Sequence, residues 1–336
     1  MKQITRLSGI IPEECAGQRL DQALAQLFAD YSRSRLALWL KQGQVNVEGR
    51  QWRGRDKVRG GEQVEIEAEL VAQTESQPEA IALDIRYEDE HLIIINKPAG
   101  LVVHPAAGNA SGTLLNALLY HEPQLATLPR AGIVHRLDKD TSGLLVVARS
   151  LTAQKSLVEQ LQARSLLREY IAIVNGVMTA GGRVEAPVGR HPVNRKRMAV
   201  TPNGKPAVTH YRVLERYRAH TAVRCKLESG RTHQIRVHMG HIRYPLLGDP
   251  VYGGRFKLPP ACPEELTALL RGFGRQALHA TRLGLVHPAS GKSLAWRAAL
   301  PEDMQGLQDA LREDAGLSQT GDRNDAGDDS DVVWWE

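Results

Sequence analysis

The chain has 336 residues, 42% hydrophobic, with a formal net charge of +5, longer than the roughly 150 residues of a typical domain, so two domains, or a large one with an appendage, are expected. Cys15, Cys225 and Cys262 lie far apart without a C-x-x-C pair, which argues against a disulfide framework and a thiolate metal site and fits a reducing cytoplasm. The N-terminus lacks the apolar run of a signal peptide, and no segment reaches the roughly 18 apolar residues of a membrane span, so a soluble cytoplasmic protein is expected.

In chain order, Leu20, Ala23, Leu24, Leu27 and Phe28 stand at the offsets of one apolar helix face. Ser32 is a suitable N-cap for a second helix carrying Leu36, Trp39 and Leu40 and ending near Gly43. Val45 and Val47 alternate as a short strand, and Val58, Val64 and Ile66 predict two more. From Arg33 to Arg59 there are eight Lys or Arg against Glu48 and Asp56. A helix pair followed by small strands with a basic face resembles the S4-like RNA-binding domain; a solvated basic hairpin is the plain alternative. This unit is expected over residues 1–75, with Arg33, Arg35 and Lys41 as RNA contacts.

Residues 68–80 have no periodic apolar pattern and read as a linker. The larger domain, expected over 81–312, has strand-like runs at Leu92–Asn96, Leu144–Ala148, Tyr170–Val174 and Val223–Leu227, separated by uneven loops and few helices. That spacing predicts an α+β fold on a mostly antiparallel, mixed sheet rather than a doubly wound one. Between Arg190 and Arg218 there are eight Lys or Arg against Glu215 alone, so Arg195, Lys196 and Arg197 are expected to form a second phosphate-binding patch, with a solvated loop as the competing reading. From Glu313 onward eight carboxylates face one Arg, a net of −7, which leaves +12 for residues 1–312. The tail 313–336 reads as disordered, and a body so basic suits a nucleic acid.

Several chemistries drop out. The GKS at Gly291–Ser293 lacks the first glycine of a P-loop, because position 286 is Val286. His238 and His241 form H-x-x-H without cysteines or an H-E-x-x-H helix, so hydrogen bonding is expected of them rather than metal ligation. The stretch GIVHRLDKDTSGLLVVARS at Gly132–Ser150 sets Arg136, Asp138, Lys139 and Asp140 in a polar loop directly before an apolar strand. Such a loop is a rigid support for reactive groups. By pattern alone, a surface turn with mutually paired charges fits as well.

HRLDKDTSG resembles the signature of the pseudouridine synthases of the Rlu type. NKPAGLVVHP at Asn96–Pro105, REY at Arg168–Tyr170, GKPAVTHY at Gly204–Tyr211, SGRTHQIRVHM at Ser229–Met239, PLLGDPVYGG at Pro245–Gly254 and RQALHA at Arg275–Ala280 resemble the same family in its usual order. The resemblance implies isomerisation of uridine to pseudouridine in 23S rRNA, of the large ribosomal subunit or its precursor, at helix 69. A sister synthase for another rRNA or tRNA site, or a non-catalytic RNA-binding assembly factor, are the alternatives. It further implies that Asp138 is catalytic, that Arg236 pairs with it, and that Tyr170 stacks on the base. Ile235 would pack on the uracil and Arg136 would fill the place the flipped base leaves; His135 and Arg231 complete the substrate-binding set. The reaction needs no redox change or group donor, so no cofactor and no metal are expected, and the enzyme is expected to act as a monomer. Asp138 must stay ionised in a pocket that excludes water, which requires a cation beside it.

Overall fold

The computed structural model describes residues 4–69, 76–106, 108–194, 197–254 and 258–317. At the N-terminus, β1 (Ile4–Ile10) precedes α1 (Leu20–Leu27), α2 (Arg33–Lys41), β2 (Val45–Val47) and β3 (Gln63–Glu69). The strands form an antiparallel sheet in the order β1-β3-β2. Ser32 caps α2 by accepting the N–H of Arg35, and Gly43, at φ 72, turns the chain out of the helix. Leu20, Leu24, Leu36, Trp39, Val45, Val47, Val64 and Ile66 close one core.

Val58 joins that core from a loop, so of the two strands predicted around Val58, Val64 and Ile66 only one forms. Its partner β1 was not foreseen, because none of its side chains is fully buried and Ile4 and Ile10 point to solvent. The predicted linker also shortens at both ends. Ala68 is buried in β3. The carbonyl of Gln77 accepts from Asn116 Nδ2 at 2.7 Å, and the Glu79 carboxylate accepts the N–H of Gly112 at 2.9 Å. Residues 70–75 of that linker lie outside the described residues.

The larger unit continues with β4 (Ile85–Glu88), β5 (Leu92–Lys97), α3 (Leu114–His121), β6 (Ser142–Ala148), α4 (Leu151–Gln162), β7 (Leu167–Asn175) and β8 (Gly182–Glu185). There follow β9 (Val188–Arg190), β10 (Met198–Val200), β11 (Val208–Arg216), β12 (His220–Leu227), α5 (Gln234–His241), α6 (Glu264–Gly272), β13 (Leu278–Val286), β14 (Ser293–Arg297) and α7 (Glu302–Asp314). Eight of these strands run β4-β5-β6-β13-β7-β12-β11-β8 in one sheet, with β14 paired to β13. All pairings in it are antiparallel except β13 with β6, so the sheet is mixed and mostly antiparallel, as the strand spacing predicted.

In β5, Ile93 and Ile95 face the core that holds α3 and Tyr170, while Leu92 and Ile94 face α4 and Trp296. A strand buried on both sides reads as the unbroken apolar run seen in its sequence. The predicted end of the domain at 312 falls short: α7 runs to Asp314, whose buried carboxylate accepts from Arg218 Nη2 at 2.7 Å. Residues 318–336 of the acidic tail, Trp334 and Trp335 among them, lie outside the described residues. Among the described residues no helix is long and apolar enough to cross a membrane.

Candidate active site

The loop from Val134 to Thr141 feeds β6, and its shape is imposed from several sides. Lys97, fully buried at the end of β5, donates to the carbonyls of Pro98, Leu101 and Lys139 at 2.7, 3.0 and 3.0 Å. Three acceptors match the three N–H bonds of an ammonium. Burial pulls the Lys97 pKa down to about 7 against the charges of Asp140 and Asp138. From the opposite side Arg275 Nη1 donates to the Asp140 carbonyl at 3.1 Å, and Gln276 Nε2 donates to Thr141 Oγ1 at 3.0 Å. Ser142 Oγ and His279 Nδ1 are 2.9 Å apart. Gly143 sits at φ 112 where a Cβ would come within 2.3 Å of the Ala280 carbonyl oxygen, so only glycine allows β6 to lie against β13 here. The NKPAG and RQALHA segments are thus the two jaws that hold the loop.

Leu137 is buried, and its neighbours Arg136 and Asp138 border an open cavity of about 770 Å³. Arg236 Nη1 donates to Asp138 Oδ2 at 2.9 Å. Its Nε and Nη2 form a fork on the Asp249 carboxylate at 2.7 and 2.9 Å, and Asp249 Oδ1 also accepts the N–H groups of Val251 and Tyr252. Burial works against all these charges, but the two carboxylates raise the Arg236 pKa. Burial likewise opposes ionisation of Asp249, yet Arg236 and the two backbone donors hold its pKa below the usual carboxylate range. Asp138 therefore faces a fixed, buried cation on the cavity wall.

Tyr252 lies between two guanidiniums, Arg236 at 5.0 Å and Arg197 at 5.2 Å from its ring centroid. Its hydroxyl accepts the N–H of Met198 and meets His233 Nδ1, each at 2.8 Å. His233 stands at the start of α5 in the left-handed region, φ 56, a strained conformation for a side chain with a Cβ. It directs Nε2 to 3.8 Å from Asp138 Oδ1. Burial, foremost, lowers its pKa and favours the neutral ring.

Tyr170 and Ile235 are buried and line the same cavity as Asp138. Burial raises the Tyr170 pKa; Arg168 opposes this and Asp138 adds to it. His135 lines the cavity with Nε2 accepting the N–H of Val146 at 3.2 Å, and burial with the charge of Arg168 pushes its pKa down to about 3. Arg136 is exposed at the rim, and Arg231, also on the cavity wall, donates to the Pro206 carbonyl at 3.3 Å. His238, of the H-x-x-H pair, is fully buried, with its ring nitrogens 2.9 Å from Thr209 Oγ1 and from the Ala186 carbonyl.

The expected RNA contacts fare differently. Lys41 is exposed, and Arg33 is half-exposed and paired with Asp21 at 2.7 Å. Arg35 was placed on the RNA-facing surface; it is instead 6% exposed, because the capped first turn of α2 turns this position inward, and Nη2 has no hydrogen-bond partner. Arg197 is half-buried, with Nη2 bonded to the Val251 carbonyl and its guanidinium over the Tyr252 ring. Arg195 and Lys196 lie outside the described residues. Lys97, Arg168, His233, Asp249 and Tyr252 were not singled out in the sequence, although each lies within a quoted motif.

A sequence model described as RNA pseudouridylate synthase matches residues 91–241. The chain is 60% identical to "Ribosomal large subunit pseudouridine synthase D" of Pseudomonas aeruginosa, over 94% of this chain and 98% of that protein. The protein of the same description from Escherichia coli is 56% identical over 94% of this chain and 97% of its own length. Among solved structures, human RNA Pseudouridylate Synthase Domain Containing 4 is 27% identical with a TM-score of 0.53, covering 68% of this chain and 92% of its own. Human RNA Pseudouridylate Synthase Domain Containing 1, at 24% identity and the same TM-score of 0.53, covers 69% of this chain and 89% of its own and shares the fold. With near full-length relatives at this identity, and with Asp138, Tyr170 and Arg236 inside the segment the sequence model matches, the chain belongs to the Rlu-type RNA pseudouridine synthases.

Proposed function

We propose that the chain isomerises uridines of 23S rRNA, those of the helix 69 stem-loop, in the large ribosomal subunit or its precursor in the cytoplasm. The observation that carries this reading is the ion triad of Asp138, Arg236 and Asp249 on a cavity that also takes in Tyr170 and Ile235. The rRNA target rests on relatives named for the large ribosomal subunit and on the Rlu resemblance.

A uridine inside folded RNA reaches the cavity only when flipped out, at a cost of about a few kcal/mol. Arg136, exposed at the rim, fills the vacated place, and Ile235 and Tyr170 hold the base. Asp138 then starts the reaction, as nucleophile at C1′ or as base toward the ribose 2′ proton; both routes use the ionised carboxylate that Arg236 supports. The freed uracil turns over, and Tyr170, beside it, handles the C5 proton. The basic helix pair of residues 4–69, with Lys41 and Arg33 outward, supplies phosphate contacts as an S4-like unit.

Asp138→Asn tests the assignment. The variant is expected to keep its affinity for a helix 69 transcript and lose at least about 10⁴-fold in pseudouridine formation, since nucleophile knock-outs cost at least this much. Full activity in nucleoside analysis of the product would refute the role of Asp138.

A further inference from the structure

Arg168 lies in β7, two residues before Tyr170, and both side chains are on the wall of the cavity. It is 5% exposed, its Nε has no hydrogen-bond partner, and its Nη2 makes one long contact of 3.4 Å to the Glu228 carbonyl. It forms no ion pair among the described residues. Gly230 faces it across the cavity wall, where a Cβ would come within 2.7 Å of Nη1, so the absence of a side chain there gives the guanidinium its room. Burial lowers its pKa, but a guanidinium stays protonated, and the charge registers on the neighbours by depressing His135 and opposing the rise of Tyr170. A buried cation with free N–H groups and no counter-charge is costly to the folded protein, and a ligand that brings negative charge into the cavity relieves that cost.

We propose that Arg168 is a catalytic residue that receives the negative charge of the uracil ring as the N1–C1′ bond breaks. The proposal rests on the reading above, in which a flipped uridine is opened by Asp138. When that bond breaks, its electron pair passes to the ring and spreads over N1, O2 and O4. The ring turns over, and an electron pair at C5 forms the new bond to C1′ as the Asp138–C1′ ester bond breaks or, by the glycal route, as C2′ regains the proton that Asp138 removed; the C5 proton leaves and N1 ends with a proton. The sum is an isomerisation, with nothing oxidised or reduced.

Depth in the cavity selects the base over a phosphate. Backbone phosphates of an RNA stay at the rim, within reach of the exposed Arg136 and the half-buried Arg231, whereas only the flipped base travels inward to a group that is 5% exposed. The anion exists only after bond cleavage begins, so the interaction strengthens toward the transition state and acts on rate rather than affinity.

The test uses the full chain and two 23S rRNA fragments, one with uridine and one with 5-fluorouridine at every uridine position, under single-turnover conditions. Fluorine stabilises the ring anion, so the fluorinated RNA depends less on the cation. For Arg168→Gln we expect uridine conversion to fall about 10²–10³-fold, as for loss of one preorganised donor, with RNA affinity unchanged. Consumption of 5-fluorouridine should fall at least about tenfold less than that, as expected when the leaving group needs less stabilisation. An equal loss on both RNAs, a loss expressed only as weaker RNA binding, or a loss that vanishes in a Tyr170→Phe background overturns the proposal. Should Arg168→Gln not fold, Arg168→Lys, which keeps the charge without the planar fork, is read the same way, with a loss again larger on uridine RNA expected and an equal loss overturning. Activity of Asp138→Asn on the uridine RNA would instead remove the underlying reading, so the two failures are distinguishable.

Discussion

Asp21 in the N-terminal unit and Asp138 in the cavity are both carboxylates that accept from arginine, at 2.7 Å from Arg33 and 2.9 Å from Arg236. Distance does not separate them; surroundings do. The two arginines of Asp21, Arg33 and Arg19, are 49% and 52% exposed, so water reaches both cations although Asp21 itself is buried. The Arg236 side chain is 6% exposed and shared between Asp138 and a fully buried Asp249. Water and salt screen the two arginines of the first cluster, so their charge is adjustable. The second cluster is set before substrate arrives, which is the condition for electrostatic catalysis.

The largest break in this comparison is Arg236→Met. It strands two carboxylates in the cavity wall and is expected to lower stability by about 3–5 kcal/mol, to the same extent at low and high salt, and to abolish most turnover. Chemical denaturation and single-turnover rates check it, and a loss that faded in high salt would place this cluster with Arg33 and Asp21.

A pH titration comes next. His279, hydrogen-bonded to Ser142 at the end of the Asp138 loop, has its pKa pushed by burial down to about 4, and His135 to about 3. Between the ordinary value of 6.5 and about 4 the unfolded chain binds a proton at His279 that the folded chain does not. Stability is therefore expected to decline as pH falls through that window, with His279 alone contributing about 3 kcal/mol near pH 4.5, given roughly 1.4 kcal/mol per pKa unit. His279→Asn should flatten the slope; Asp21, whose pKa its arginines hold below the aspartate range, contributes only to losses at still lower pH.

The smallest effect is expected for Arg33→Ala: under about 1 kcal/mol at low salt, vanishing at high salt. Its RNA affinity should fall modestly and its salt slope should shrink, which filter binding across a salt series would read. A stability loss as large as that of Arg236→Met would erase the contrast.

Much of the architecture was legible. The apolar faces of α1 and α2, the cap at Ser32 and the runs that became β5, β6, β7 and β12 follow from period and composition, because a side chain's burial repeats with its own backbone geometry. β1 was hidden because its partly exposed strand carries no apolar alternation. Arg35 departs from its expected exposure because a cationic side chain read in sequence says nothing about which way its element turns it. The candidate catalytic set was legible only through the Rlu motifs. Asp138 and Arg236 are 98 positions apart, and no local pattern relates them.

The sequence by itself determined the two N-terminal helices and several of the strands, the basic character of the chain, and the loop that carries Asp138, since those depend on neighbours a few residues away. Only the tertiary structure decided which cations are matched. Among the described residues it sets Arg236 between two carboxylates and leaves Arg168 with none, because the burial and the distances that govern charge arise from segments joined across the whole sheet.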